Sequence, residues 1–373
     1  GKSNYLQRRK VMKRKVFYPP IGIAHATNEI TDLIKYKFKN QNKIIINTSA
    51  QPNSSPHLGT ITTIMCAFAL ARKIKNKFNV ETEVQFDELE NSPSEIIEIE
   101  NDVYYKDQKH SFVDGSTKEN VNMKNFYEIL ENISLLSNVP YSVRTYVEFQ
   151  QDKYVRQTIV DIINKKEYFK NLLFPSSTDL HIRTICPICG LGKKNIEKLE
   201  EKHSDYEVEF IGKCPIHGEY IIKVNKNNKD YIDINTQLRD LTKGVSMLKN
   251  DENLNTLTIM LDGGDWSGVW AQRMHTEGLA KLGFKNFPIR FFAPVILDWS
   301  GAKFSKSLYL EDNAYKDINK AFINYNNFID FYGKKGMKIL WKEVASWLDE
   351  PKKFFRNYSV DYFQEVMEEE KDG

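Results

Sequence analysis

The chain is poor in cysteine, in long apolar runs and in net charge, and each shortage excludes something. Only four cysteines occur in 373 residues, and three of them fall into a metal-ligand pattern. No disulfide framework is therefore implied, and a reducing compartment, the cytoplasm, is expected. No apolar run reaches the roughly 20 residues that span a bilayer. The N-terminus lacks the apolar core of a secretory signal, so no membrane partner is expected. The net charge of +3 is too small to argue for nucleic acid by itself. Its distribution says more: residues 1–16 carry Lys2, Arg8, Arg9, Lys10, Lys13, Arg14 and Lys15 and no acid. Such an arm is either a solvated tail or a contact for a phosphate backbone.

What remains is an ordinary globular composition, 41% hydrophobic and 28% charged, long enough for two or three domains. Residues 24–38 have helical spacing. Lys43-Ile44-Ile45-Ile46-Asn47 reads as a buried parallel strand, residues 51–56 as a loop, Leu58 to Ile74 as a helix and Val80 to Phe86 as a second strand. This is the opening of a doubly wound α/β sheet. Residues 100–140 are polar, with helical pattern after Lys118, and 147–163 looks helical. Short strands are expected at 207–211 and 220–224. The sheet resumes with strands at 257–261 and 289–292 around a helix at 267–282. After Leu310 the pattern is helical, with Trp341, Trp347, Phe354, Phe355 and Tyr362 as packing residues. The expected fold is a Rossmann-like parallel sheet with an inserted zinc-knuckle module and a C-terminal helical segment. Its boundaries are 1–40 (basic arm and helix), 41–165 (first half of the core), 166–235 (zinc insertion), 236–312 (second half) and 313–373 (helical segment).

Three segments carry nucleotide chemistry. Pro56-His57-Leu58-Gly59-Thr60 follows the first strand and opens a helix. A helix N-terminus offers N–H donors to phosphate, His57 can add another, and Gly59 permits close approach of a base. Leu261-Asp262-Gly263-Gly264-Asp265-Trp266 follows an apolar strand, and an acid at such an edge can accept two hydroxyl hydrogen bonds. Lys303-Phe304-Ser305-Lys306-Ser307 places two lysines where they can neutralise a departing pyrophosphate, with serine hydroxyls beside them.

In this order the first and last segments resemble the His-Ile-Gly-His and Lys-Met-Ser-Lys-Ser motifs of class I aminoacyl-tRNA synthetases. The resemblance implies ATP, with Mg²⁺, as cofactor. It implies catalytic roles for His57, Lys303 and Lys306, the last being the more critical lysine. It also implies ATP contacts from Pro56, Gly59, Thr60, Gly263, Gly264, Asp265, Ser305 and Ser307. Asp265 takes the ribose-binding role, with Asp262 as the competing candidate. His275 either faces the same cleft or is a helix-face residue. Thr60 stands where the family usually has His or Asn, and Phe304 where it has Met.

Cys186-Pro187-Ile188-Cys189 and Cys214-Pro215-Ile216-His217 form a Cys-x2-Cys…Cys-x2-His set, each half followed by glycine. Three thiolates and an imidazole suit a closed tetrahedral, structural Zn²⁺ site, with iron the lesser alternative. Cys66 reads as a buried small hydrophobe. Cysteine knuckles between the two nucleotide motifs most resemble class I lysyl-tRNA synthetase, although glutamyl-type and other class I enzymes stay open. Lysine is thus the leading substrate, and Asp87, Glu88 and Asp240 are candidate acids for its ammonium. The expected acceptor is tRNA, through its acceptor stem. The alternatives are a non-tRNA acceptor, or an inactive binding module.

Overall fold

The computed structural model describes residues 27–108, 121–194, 200–266, 268–298 and 319–371. At its centre lie five parallel strands: β1 (Lys43–Ala50), β2 (Glu81–Glu88), β3 (Tyr141–Thr145), β4 (Thr256–Gly263) and β5 (Ile289–Ala293). Their order is β5-β4-β1-β2-β3. This is the doubly wound arrangement, with its switch point between β1 and β4. The four expected strands are present. β3 carries no such signal, because it is five residues long and only partly buried.

The principal helices are α1 (Leu58–Phe78), α2 (Val121–Ser137), α3 (Lys153–Asn164), α4 (Thr236–Leu254), α5 (Val269–Lys281), α6 (Tyr325–Trp347) and α7 (Val360–Lys371). Side chains alternate along β1, so Ile44 and Ile46 face one side and Asn47 the other. On the isoleucine side α1 packs against the sheet, with α6 against α1 and α7 against α6. This explains why α1 is apolar nearly all round: Ile64, Met65, Cys66, Phe68 and Leu70 are all buried. Cys66 is the buried hydrophobe expected of it. The α1 helix stops at Asn79, whose left-handed backbone (φ 49°) caps it. Trp341, Trp347 and Phe354 are buried in this layer, and Phe355 and Tyr362 pack on it. On the Asn47 side α4 lies on β4, with α5 and α3 beside it.

Local polar chemistry moves several boundaries. The helix expected at 147–163 is broken because Asp152 caps α3 by accepting from the Tyr154 and Val155 amides. Between 27 and 38, only Asp32–Lys35 is helical. Pro93–Ile99 and Asp102–Asp107 form an unforeseen hairpin, turned at Glu100-Asn101, where φ is 50° and 68°. Two consecutive positive φ values make the tight turn that suits strand twist. This hairpin extends to Gly192–Lys193 and so ties the cysteine module to the core.

Between β3 and β4 the chain leaves the sheet to build that module. Strands Val208–Cys214 and Gly218–Val224 form its hairpin, flanked by Glu200–His203. The buried Arg156 of α3 anchors it by donating to the carbonyls of Lys223, Asn225 and Asp230. No helix among the described residues is long and apolar enough to cross a membrane.

Candidate active site

Parallel strands leave their C-terminal ends open at the switch point, and ligands bind there. At that place a cleft of about 680 Å³ opens between the ends of β1 and β4. Its lining includes Pro56, His57, Gly59, Thr60, Gly263, Gly264 and Asp265, so two of the three nucleotide segments meet in one cavity. A larger groove of about 880 Å³, lined by Thr256, Leu257 and Ile289, opens at the opposite edge of the sheet and holds none of them. Position at the C-terminal strand ends makes the smaller cleft the candidate site, despite the difference in volume. Lys303, Ser305, Lys306 and Ser307 lie outside the described residues, as does the basic arm.

His57 is the N-cap of α1. Its Nδ1 accepts from the Gly59 amide at 2.9 Å, which leaves the ring proton on Nε2 as a donor. The capping and phosphate-binding readings of this histidine are therefore compatible. Gly264 has a structural reason to be glycine: a β-carbon there would lie 2.4 Å from the Ala293 carbonyl oxygen. The ends of β4 and β5 could not approach so closely otherwise. Asp265 is exposed at the rim, whereas Asp262 is tied back to Arg290 at 3.0 Å.

The acids proposed for an ammonium group are differently placed. Asp87 lies beneath the cleft wall, held by Arg144 at 2.7 Å and Lys243 at 2.7 Å, with Asn47 Nδ2 donating at 3.0 Å. Burial would raise its carboxyl, but the two cations hold it well below the usual carboxylate range. Asp240 does line the cleft, yet Arg290 binds it through two nitrogens, at 2.8 and 3.1 Å. Glu88 turns away to Tyr127, whose hydroxyl donates to it at 3.1 Å. Burial first, and Glu90 second, push the Glu88 carboxyl up to about 7.

His275 is 3% exposed and abuts Gly244 rather than lining the cleft. Burial pulls its pKa down to about 4, so the ring is neutral. Arg144, Arg239, Lys243 and Arg290 carry no motif and are invisible to sequence reasoning. The one available signal is that Thr236, Arg239, Asp240 and Lys243 follow helical spacing along one face of α4, and all four line the cleft.

In the inserted module, Cys186, Cys189, Cys214 and His217 bring their ligand atoms within 4.8 Å of one another. The Cys189–Cys214 sulfurs are 3.6 Å apart, and His217 Nδ1 is 3.7 Å from Cys186 Sγ and 3.6 Å from Cys214 Sγ. A tetrahedron of roughly 2.3 Å metal–sulfur bonds has edges of about 3.8 Å, so the set fits a four-coordinate metal ion. Gly190 and Gly218 adopt φ of 77° and 81°, which turns each knuckle back. Among the described residues this is the one cluster suited to a metal.

No protein-family model matches the sequence, and neither does any curated protein. Solved structures do. A Campylobacter jejuni protein described as an arginyl-tRNA synthetase shares 10% identity over 88% of this chain and 90% of its own, with a TM-score of 0.32. An Elizabethkingia meningosepticum glutamate-tRNA ligase, in complex with its amino acid, shares 12% over 87% and 68%, with a TM-score of 0.38. An Elizabethkingia anophelis glutamate-tRNA synthetase shares 12% over 71% and 53%, with a TM-score of 0.32.

Proposed function

We propose that the chain activates an amino acid with ATP, forming an aminoacyl-adenylate, and passes the acyl group to the acceptor end of a tRNA. The observation that carries this reading is the meeting of the His57–Gly59 helix start and the Gly263–Asp265 turn in one cleft at the switch point. In such a site the substrate carboxylate attacks the α-phosphorus, and the bond to the β-phosphate oxygen breaks as pyrophosphate departs. Little covalent help is needed; positioning and charge stabilisation suffice. The α1 N-terminus and His57 Nε2–H supply donors to phosphate, and Asp265 accepts from the ribose hydroxyls. Lys303 and Lys306 neutralise the departing pyrophosphate, and Mg²⁺ brought in with the ATP would supply further positive charge there. The three cysteines and His217 hold Zn²⁺ as a folding element, remote in function from the chemistry.

ATP–pyrophosphate exchange, screened against the standard amino acids, tests the activation step. Exchange with one amino acid is expected, and Lys306→Ala should lower its turnover far more than it weakens ATP binding. Exchange with none of them would overturn the reading. Adding total tRNA then identifies the acceptor: RNase-sensitive label supports tRNA, and adenylate that never labels RNA points to another acceptor.

A further inference from the structure

Resting on that reading of the cleft, we infer that the amino acid substrate carries a second carboxylate, as glutamate and aspartate do, and that Arg239 receives it. The argument begins with the cations along α4 and β5. Lys243 is taken: its ammonium lies 2.7 Å from Asp87 and donates to Asn47 Oδ1 at 3.1 Å. Arg290 is taken as well, shared between Asp240 and Asp262. Arg239 is not. It lines the cleft and is only 7% exposed, yet it donates a single bond, from Nη2 to Thr236 Oγ1 at 3.3 Å. Among the described residues no carboxylate lies within ion-pairing distance of it. Its neighbour Asp240 is turned to Arg290, and Asp233 is bound by Tyr105, Asn91 and Arg183.

A guanidinium cannot shed its proton under these conditions, and a buried charge without a counter-charge is costly. With one side-chain hydrogen bond made, Arg239 has donors left for an anion that enters the cleft. Two anions compete for the assignment. The ATP phosphates belong beside His57 and Gly59, whose surroundings are Ile296 and, across Gly264, Val295 and Ala293 on the β5 side. Arg239 stands on α4, where the nearby carboxylates Asp233, Asp240 and Asp87 make a polyphosphate the poorer guest. The substrate's α-carboxylate is the nucleophile, and a two-pronged guanidinium clamp would quench it. A distal carboxylate can be clamped without loss. The acids in and beneath the wall are already engaged by cations: Asp87 by Arg144 and Lys243, and Asp240 and Asp262 by the Arg290 they share.

The test compares the full-length wild type with Arg239→Gln and Arg239→Lys. Pyrophosphate exchange is measured with L-glutamate, L-aspartate, L-glutamine, L-asparagine and L-lysine. An acidic amino acid should support exchange at least roughly 10-fold better than its amide or lysine. Arg239→Gln should raise KM for that substrate about 10- to 100-fold, with KM for ATP nearly unchanged. The melting temperature of the free variant should not fall, because an unpaired buried cation has been removed; a merely structural arginine would cost stability. Arg239→Lys keeps the charge without the fork and should fall between the two, and it serves as the test protein if the glutamine variant does not fold. Preference for lysine or a neutral amino acid overturns the inference and leaves activation standing. An effect on ATP alone overturns it too, by assigning Arg239 to phosphate. If no amino acid supports exchange, activation fails. Titration calorimetry with L-glutamate and L-aspartate then decides the inference: binding lost in Arg239→Gln upholds the carboxylate subsite, and no binding to the wild type overturns it.

Discussion

Two adjacent residues at the end of β2 show how burial changes the meaning of a charge. Asp87 and Glu88 are adjacent carboxylates, yet one is held ionised by two cations and the other is held protonated near neutrality. The difference is only which face of β2 each side chain occupies. Glu88 gives a pH prediction. Its pKa is raised from 4.5 to about 7, so the folded state binds the proton more tightly than the unfolded state. Its contribution is fully present below about pH 4.5 and is lost as pH rises through 7. Thermal melts from pH 5 to 8 should show the wild type losing stability with rising pH relative to Glu88→Gln. Parallel pH profiles for the two proteins would show that Glu88 is already ionised in the folded state.

At the scale of elements, the cysteine module buries Val208, Phe210, Ile222 and Val224 on one face of its hairpin. Its hairpin is short, and Ile188, Ile216 and Ile221 are exposed on it. The Arg156 anchor ties it to α3, and a metal held by Cys186, Cys189, Cys214 and His217 would add a second tie. Replacing Cys189 with Ser should abolish about one equivalent of bound zinc and speed hydrogen exchange across residues 182–224. The unfolding midpoint should fall by roughly 2–3 °C, as for the loss of about 2 kcal/mol in a chain of this size. A metal-free variant with unchanged melting and exchange would show that the knuckles do not support the fold. The hairpin at 93–107 belongs to the same scale. Its strands are ordinary in composition, and its turn at Glu100-Asn101 uses two left-handed residues without glycine, so no turn signal marks it.

For the molecule as a whole, two cavities compete, and topology decides between them. The larger groove lies at the N-terminal ends of the strands, the smaller cleft at their C-terminal ends. Brought up to saturation, ATP should slow amide exchange at residues 49–60 and 262–265 and leave residues 282–289 of the opposite groove unaffected. Protection confined to the opposite groove would place the nucleotide there and remove the basis of the proposed activity.

The sequence by itself determined the pieces whose signals are local. Four of five central strands, helix α1 and the Cys-x2-Cys…Cys-x2-His set were legible because strand burial, helical spacing and ligand spacing are properties of short windows. So was the pairing of His57 with Asp265 in one site, through motif resemblance. Only the tertiary structure decided which charges are spent. Asp87 and Arg144 approach across neighbouring strands, Asp87 and Lys243 between β2 and α4, and Asp240 and Arg290 between α4 and β5. Such pairings depend on strand order and on the face each residue presents, and neither is written in any local window. That is why an acid that looked available for a lysine substrate is already neutralised, and why the unmatched charge in the cleft is an arginine that no motif contains.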